Sequence, residues 1–360
     1  MKKKIDIKEI LKEKTPIIDK AIEKYIPRKY DKNSIIFNLG PPSYKHNIEA
    51  PTKFLSEPVW DFFDRGGKRW RPVLFLLVAE ALGADPEKYI DLAIYPELLH
   101  NGSIIIDDIE DMSEERRGKP VLHKLFGEDI AINAGNALYF MALLPLLKNK
   151  EKFDEKTLLR IYELHSQEMI KIHFGQGTDI SWHRGLANAD EISEEEYLEM
   201  CSNKTGCIAR LAAKTAAIIA GENDEEVKTI GKFAETIGVA FQIQDDVLNV
   251  SGKEFAKGKG GLGEDITEGK RSLIVIHTLK NANGEDRKRF LEILNMHTTD
   301  QKLRNEAIEI MKKYSSIEYA KQKAKKMVQE AWDNIRNLLP ESEAKKKLRA
   351  FADYLTEREI

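Results

Sequence analysis

Ile208-Ala209-Arg210-Leu211-Ala212-Ala213-Lys214-Thr215-Ala216-Ala217-Ile218-Ile219 decides how this chain folds. Its apolar residues Ile208, Leu211, Ala212, Ala216 and Ile219 recur at the spacing that lines one face of an α-helix. Leu158, Ile161, Tyr162 and Leu164 repeat that spacing upstream. Both segments lie in a long span without proline: of twelve prolines, none falls between Pro145 and Pro340. Proline removes a backbone donor and clashes with the preceding turn, so a span lacking it permits long unbroken helices. No stretch alternates like strands joined by hairpin turns. The sequence predicts an all-α chain.

Outward from this span the chain is more broken. Residues near 5–26 read as an amphipathic helix, and Asn38-Leu39-Gly40-Pro41-Pro42 opens an irregular connection lasting to about Ser56. A short helix runs to Arg65, before the Gly66-Gly67 break. Residues 251–264 are rich in glycine and lysine and read as a loop, while the tail from about 301 alternates charged and apolar positions as surface helices do. The formal net charge of -3 over 360 residues argues against nucleic acid as the main partner. Cys201 and Cys207 have neither a CxxC spacing nor histidine partners, so they read as thiols of a reducing compartment. The basic start lacks an unbroken apolar core. Val73–Ala79, among the longest apolar runs, falls well short of the ~20 residues of a membrane span. The expectation is a cytoplasmic protein.

Two acidic clusters stand out: Asp107-Asp108-Ile109-Glu110-Asp111 and Asp245-Asp246-Val247-Leu248-Asn249, each after an apolar stretch. Carboxylates at the end of a buried face are costly unless a cation neutralises them. Positions i, i+1 and i+4 are near one another on a helix, so Asp107, Asp108 and Asp111 could converge. Hard oxygen ligands suit Mg²⁺, which is usually shared with substrate phosphates. One acidic run alone is as readily a solvated face; the pair, facing across a cavity, would hold a single diphosphate through bridging metals.

Cationic segments accompany them. Gly66-Gly67-Lys68-Arg69-Trp70-Arg71 sets charge after a glycine turn and before an apolar helix, where backbone N–H groups also favour anions. Arg116-Arg117-Gly118 follows the first aspartates, and His100 precedes Asp107 by seven residues on roughly the same face. Lys204-Thr205 reads as a helix start, Gln242 lies one turn before Asp245, and Lys259 and Lys270 flank the glycine loop, which could fold over a charged substrate as a lid. P-loop, Rossmann and nucleophile-elbow signatures are missing. The chemistry should lean on metal-assisted departure of a leaving group.

Asp107-Asp108-x-x-Asp111, Arg116-Arg117-Gly118, Gly67-Lys68-x-x-Arg71, Lys204-Thr205 and Phe241-Gln242-x-x-Asp245-Asp246 together resemble the trans-isoprenyl diphosphate synthases, in order from about Pro58 to His277. Leu98–Ser103, Gly175-Gln176-Gly177-x-Asp179 and Glu264–Lys270 are similar to geranylgeranyl diphosphate synthases of the eukaryotic type. The resemblance implies the all-α isoprenoid synthase bundle around a deep cavity, usually homodimeric. It implies one domain: residues 1–55 an N-terminal helix and connection, 56–290 the catalytic core, 291–360 C-terminal helices. It further implies that Asp107, Asp111 and Asp245, supported by Asp108 and Asp246, hold several Mg²⁺ ions (Mn²⁺ as a substitute) on an allylic diphosphate. Arg116, Lys204, Thr205, Gln242 and Lys259 would contact that substrate. Lys68, Arg71, His100 and Arg117 would bind isopentenyl diphosphate, and Lys270, flanking the glycine loop, is a further expected substrate-binding residue. Asn249 replaces a third aspartate common in the family, which makes direct metal binding there doubtful. The site at Gly67-Lys68-x-x-Arg71 weighs against a terpene cyclase, and the intact aspartates and arginines against a non-catalytic synthase subunit.

Product length is a question of volume. Gly102 and Ser103 are small where farnesyl-type relatives place aromatics, so the expected tunnel is open there. Tyr139, Phe140 and His173 are its expected floor. These positions favour geranylgeranyl diphosphate over a farnesyl product, with longer chains as the alternative.

Overall fold

The computed structural model describes residues 5–188, 190–251 and 262–357. Among them the chain is helical except for one two-stranded hairpin, in agreement with the all-α expectation. It divides into two compact units. One comprises Met1–Glu163, Ala212–Asn223 and Pro340–Leu348, the other Leu164–Leu211, Asp224–Leu339 and Arg349–Ile360. No helix of the described residues is long and apolar enough to cross a membrane.

In the first unit, α1 (Ile7–Tyr25) starts at Asp6, whose carboxylate accepts the N–H groups of Lys8 and Glu9. Its buried stripe runs through Ile7, Leu11, Ile18, Ile22 and Tyr25. The irregular connection expected up to Ser56 is shorter than the sequence suggests. Helical winding resumes at Glu49, passes through a π turn at Thr52–Ser56 and continues into α2 (Glu57–Asp64). There the Glu57 N–H reaches back to the Thr52 carbonyl, and Pro58, which has no N–H to satisfy, occupies the first turn of α2. Helix α3 (Trp70–Ala81) is buried on nearly every side, consistent with its almost uninterrupted apolar sequence. Helix α4 (Tyr95–Glu110) ends at the first aspartate cluster. The hairpin β1 (Glu115–Arg116) and β2 (Lys119–Pro120) follows, paired Glu115 to Pro120 and Arg116 to Lys119. Helix α5 (Glu128–Met141) then packs on α4 through glycine: a Cβ on Gly102 would lie 2.9 Å from the Gly135 carbonyl oxygen.

The second unit contains most of α6 (Glu155–His183), then α7 (Glu194–Cys201), which runs on through a π turn at Ser202–Gly206 into α8 (Cys207–Ile219), whose residues from Ala212 onward belong to the first unit. Ser193 opens α7 with a reciprocal capping box to Glu196. Helix α9 (Asp224–Ser251) carries the second aspartate cluster, and α10 (Leu273–Asn281) and α11 (Ser316–Ile335) pack beside it. Phe233 of α9 meets Trp332 of α11 with ring centres 5.9 Å apart.

Candidate active site

In the first unit α4 presents His100, Gly102, Ser103, Asp107 and Asp108, with Asp111 at its C-cap and the Asp111 N–H bonded to the Asp107 carbonyl. The two neighbouring aspartates part company. Asp107 and Asp111 are half-exposed, whereas Asp108, about 100° round the helix, is buried. One oxygen of Asp108 accepts from Arg116 Nε at 2.8 Å and Nη2 at 2.5 Å; the other is buried with no hydrogen-bond partner among the described residues. Burial raises the Asp108 pKa, and Arg116 opposes that rise. The convergence of all three carboxylates suggested by their spacing is therefore corrected. Among the described residues no three His, Cys, Asp or Glu side chains form a closed metal cage.

The Arg116-Arg117-Gly118 segment works through the hairpin. Arg117 (φ 55°) and Gly118 (φ 73°) are both left-handed, which suits a two-residue hairpin turn. Arg117 donates to the carbonyls of Gly66 at 2.5 Å and Phe62 at 3.3 Å, and to Asn101 Oδ1 at 3.4 Å. Its guanidinium lies 4.7 Å from the Phe62 ring centre, and burial pulls its pKa down to about 10. Gly67 (φ 142°) leaves room for it: an added Cβ would sit 2.7 Å from Arg69 Nη1 and 3.5 Å from Arg117 Nη2.

Of the cations in the glycine-turn segment, Lys68 is exposed, and Arg71 is buried 4.3 Å from the Trp70 ring centre. Arg69 takes a part the sequence did not reveal. It is buried, donates to Asp19 at 2.8 Å and to the Phe63 carbonyl at 3.0 Å, and reaches Glu97 at 3.4 Å. Glu97 in turn holds the Asn101 amide at 3.0 Å. A line of partners from Asp19 through Arg69, Glu97 and Asn101 to Arg117 thus fixes the cationic face. His100 sits within it. Burial, then Arg71, Arg117, Arg69 and Arg116, push its pKa well down, so the imidazole is neutral near pH 7. With Arg69 committed to Asp19 and Glu97 and Arg116 to Asp108, Arg71 and Arg117 are the charges on this face that suit an anion.

Three expectations about the tunnel floor are corrected. Gly102 does not open space: its Cα side already touches α5, with an added Cβ 3.0 Å from Leu138 Cβ and 3.4 Å from Tyr139. Phe140 is 75% exposed, because adjacent helical residues point about 100° apart and Tyr139 takes the inward direction. His173 is likewise exposed, with Ile172 buried beside it. Tyr139 does belong near the acidic end of α4: burial, then Glu110 and Asp107, raise its phenol pKa. Ser103 donates to the His100 carbonyl at 2.8 Å.

In the second unit Lys204 and Thr205 do not open a helix; they occupy the π turn inside the α7–α8 run. Such turns often mark functional positions. Two close approaches hold this one. A Cβ on Gly175 of α6 would fall 2.4 Å from the Lys204 nitrogen, and one on Gly238 of α9 would fall 2.9 Å from Gly206 Cα. Lys204 Nζ pairs with Asp179 at 2.5 Å, and His183 Nε2 lies 2.9 Å from the same carboxylate. Burial pushes the Asp179 pKa up, yet Lys204 and His183 bring it well below the usual carboxylate range. In the motif Gly175-Gln176-Gly177-x-Asp179, packing accounts for Gly175 and charge for Asp179. Beneath the turn, buried Arg210 binds Glu168 at 2.5 Å, Glu235 at 2.5 Å and Ser202 at 3.1 Å.

The second aspartate pair repeats the division of the first. Asp245 is half-exposed, and Asp246 is buried. Asp246 accepts from Tyr197 Oη at 2.8 Å and Gln242 Nε2 at 2.9 Å; burial, then the Asp265 charge, raise its pKa. Thr205 donates to Gln242 Oε1 at 3.1 Å. Asn249 is buried, its side-chain oxygen accepting the Asp265 N–H at 3.2 Å, a local tie rather than a ligand position. Lys270 pairs with Asp265 at 3.2 Å and Glu268 at 2.5 Å. Lys259, with most of the glycine loop, lies outside the described residues.

A family model described as polyprenyl synthetase matches residues 52–311, well over half of the chain. The chain belongs to that family. It is accordingly a prenyltransferase. A short chain isoprenyl diphosphate synthase of Methanothermobacter thermautotrophicus is 39% identical over 294 residues, covering 82% of this chain and 87% of that protein. A geranylgeranyl pyrophosphate synthase of Penicillium canescens is 34% identical, covering 78% of this chain and 79% of that one. The crystal structure of geranylgeranyl pyrophosphate synthetase from Pyrococcus horikoshii superposes with a TM-score of 0.83 at 34% identity, covering 98% of each chain.

Proposed function

We propose that this prenyltransferase condenses isopentenyl diphosphate with an allylic diphosphate, head to tail, to give mainly geranylgeranyl diphosphate and pyrophosphate. The observation that supports this reading is the cationic face of buried Arg71 and of Arg117, held by the carbonyls of Gly66 and Phe62 and by Asn101, in the same unit as Asp107 and Asp111. A cyclase needs one diphosphate site; a chain-elongating synthase needs a second anion site of this kind. Lys68, Arg71, Arg117 and His100 bind the isopentenyl diphosphate. Arg116, Lys204 and Lys259 serve the allylic diphosphate.

The donor set suits Mg²⁺. It is all oxygen, and among the described residues it forms no closed protein cage, which suits an ion that shares its shell with phosphate. Asp107, Asp111 and Asp245, the accessible members of their clusters, would hold it, and bound Mg²⁺ supplies positive charge to the departing pyrophosphate. The allylic C–O bond breaks with its electron pair leaving on pyrophosphate. Oxygens of Thr205 and Gln242 favour the resulting allylic cation. The isopentenyl double bond then forms the new C–C bond, and the proton it sheds goes to pyrophosphate, which accounts for a reaction without a side-chain base.

The geranylgeranyl length rests on the relatives' names, since packed Gly102 no longer argues for an open floor. A farnesyl product is the second reading. Labelled isopentenyl diphosphate, offered with dimethylallyl, geranyl or farnesyl diphosphate and Mg²⁺, should give mainly the C20 alcohol after dephosphorylation and chromatography. Mainly C15 alcohol would select the second reading, and no incorporation with any primer would remove both.

The working form is inferred to be a homodimer. Ile132 (42% exposed) and Phe140 on α5, and Ile170 (60%) and Phe174 (72%) on α6, are apolar residues at helical spacing that this chain leaves exposed. Sedimentation should report twice the chain mass, and Phe140→Asp should shift it toward the monomer.

A further inference from the structure

Tyr197 is buried on α7 and takes no place in the reading above. Its hydroxyl donates to one oxygen of Asp246 at 2.8 Å, and the other oxygen of Asp246 accepts from Gln242 Nε2 at 2.9 Å. With its amide nitrogen fixed on Asp246, Gln242 turns Oε1 toward Thr205, whose hydroxyl donates to it at 3.1 Å. Each donor in this line has a defined acceptor. A glutamine amide freed from such a partner can rotate by half a turn and present N–H groups where its oxygen had been.

We propose that Tyr197 is a positioning residue, acting through Asp246 to hold Gln242 and Thr205 with oxygen rather than hydrogen facing the reacting carbon. The inference rests on the proposed prenyl transfer. The hydrogen of Thr205 is spent on Gln242, so its remaining lone pairs are what it can offer a neighbouring cation. Asp246, expected to support metal binding, is assigned here to orienting Gln242. If the amide turned over, N–H dipoles would oppose the developing positive charge. The loss would then fall on turnover more than on substrate binding.

The test is a double-mutant cycle on the full-length enzyme with Tyr197→Phe and Gln242→Ala, read as kcat and KM for both substrates. Tyr197→Phe should lower kcat by ~10-fold, with each KM changed by less than ~2-fold. The double variant should be no slower than Gln242→Ala alone, a coupling that loss of packing would not produce. An unchanged kcat in Tyr197→Phe, or losses that multiply in the double variant, overturns the proposal. If Tyr197→Phe does not fold, Asp246→Asn replaces it in the same cycle: non-additive loss supports the inference and multiplying losses overturn it. A wild-type enzyme unable to join the two diphosphates would instead defeat the prenyl-transfer reading, so the two failures are distinguishable.

Discussion

At Lys204 one buried carboxylate decides where a positive charge is held. Asp179 binds the ammonium at 2.5 Å while His183 lies against its other oxygen. Asp179→Asn keeps the shape and removes the charge, so kcat/KM for the allylic substrate should fall ~10-fold or more; steady-state kinetics with that substrate varied would check it. Gly102 makes a different point. Gly102→Ala should cost about 1–3 kcal/mol in urea unfolding, because the new Cβ meets a carbonyl oxygen at 2.9 Å and not open space. A Gly102→Phe enzyme of unchanged stability with a shorter product would contradict this. The aspartates and cations were legible as residues because chemistry dictates their types. Their directions were not legible: spacing alone cannot say that Asp108 turns inward to Arg116 or that Phe140 turns outward.

Among the elements, the π turn at Ser202–Gly206 is the most instructive. Periodicity gave the helices on either side, but one extra residue per turn leaves no compositional mark, so Lys204 was read as a helix start. The glycines that permit the turn are visible only once their neighbours are known. One of them, Gly175, and its neighbour Gly177 on the same helix make paired predictions. Gly175→Ala, facing the Lys204 nitrogen at 2.4 Å, should destabilise by ~1–3 kcal/mol and impair turnover. Gly177→Ala has nothing within 4 Å and should stabilise by ~0.5–1 kcal/mol. Thermal unfolding of the two proteins would separate them. Arg210→Met should cost ~2–4 kcal/mol, since Glu168 and Glu235 would lose their buried guanidinium and keep only the more exposed ammoniums of Lys171 and Lys232.

For the molecule as a whole, the all-α class and the run of motifs were legible, because long helices need only apolar period and freedom from proline. The line from Asp19 to Arg117 was not, because its members are scattered through the sequence and their types are ordinary. It gives the fold a pH dependence. His100 has a folded pKa well below the ordinary value near 6.5, so the unfolded chain takes up the proton more readily. Its contribution to stability is complete above about pH 6.5 and declines as the pH falls below that value. Urea midpoints measured from pH 7.5 to pH 5 isolate it as a difference: the wild type should lose more stability over that range than His100→Asn, whatever buried Asp246, whose raised pKa acts in the opposite sense, adds to both.

We propose that the carboxylates of both clusters act on the allylic diphosphate through Mg²⁺. Calorimetric binding of an uncleavable allylic thiolodiphosphate tests it, using the wild type, Asp107→Ala, Asp245→Ala and the double variant, each with and without Mg²⁺. Strong binding should require Mg²⁺ and weaken sharply in either single variant, with the double variant little worse than each. Binding indifferent to Mg²⁺, or losses that simply add, would contradict it.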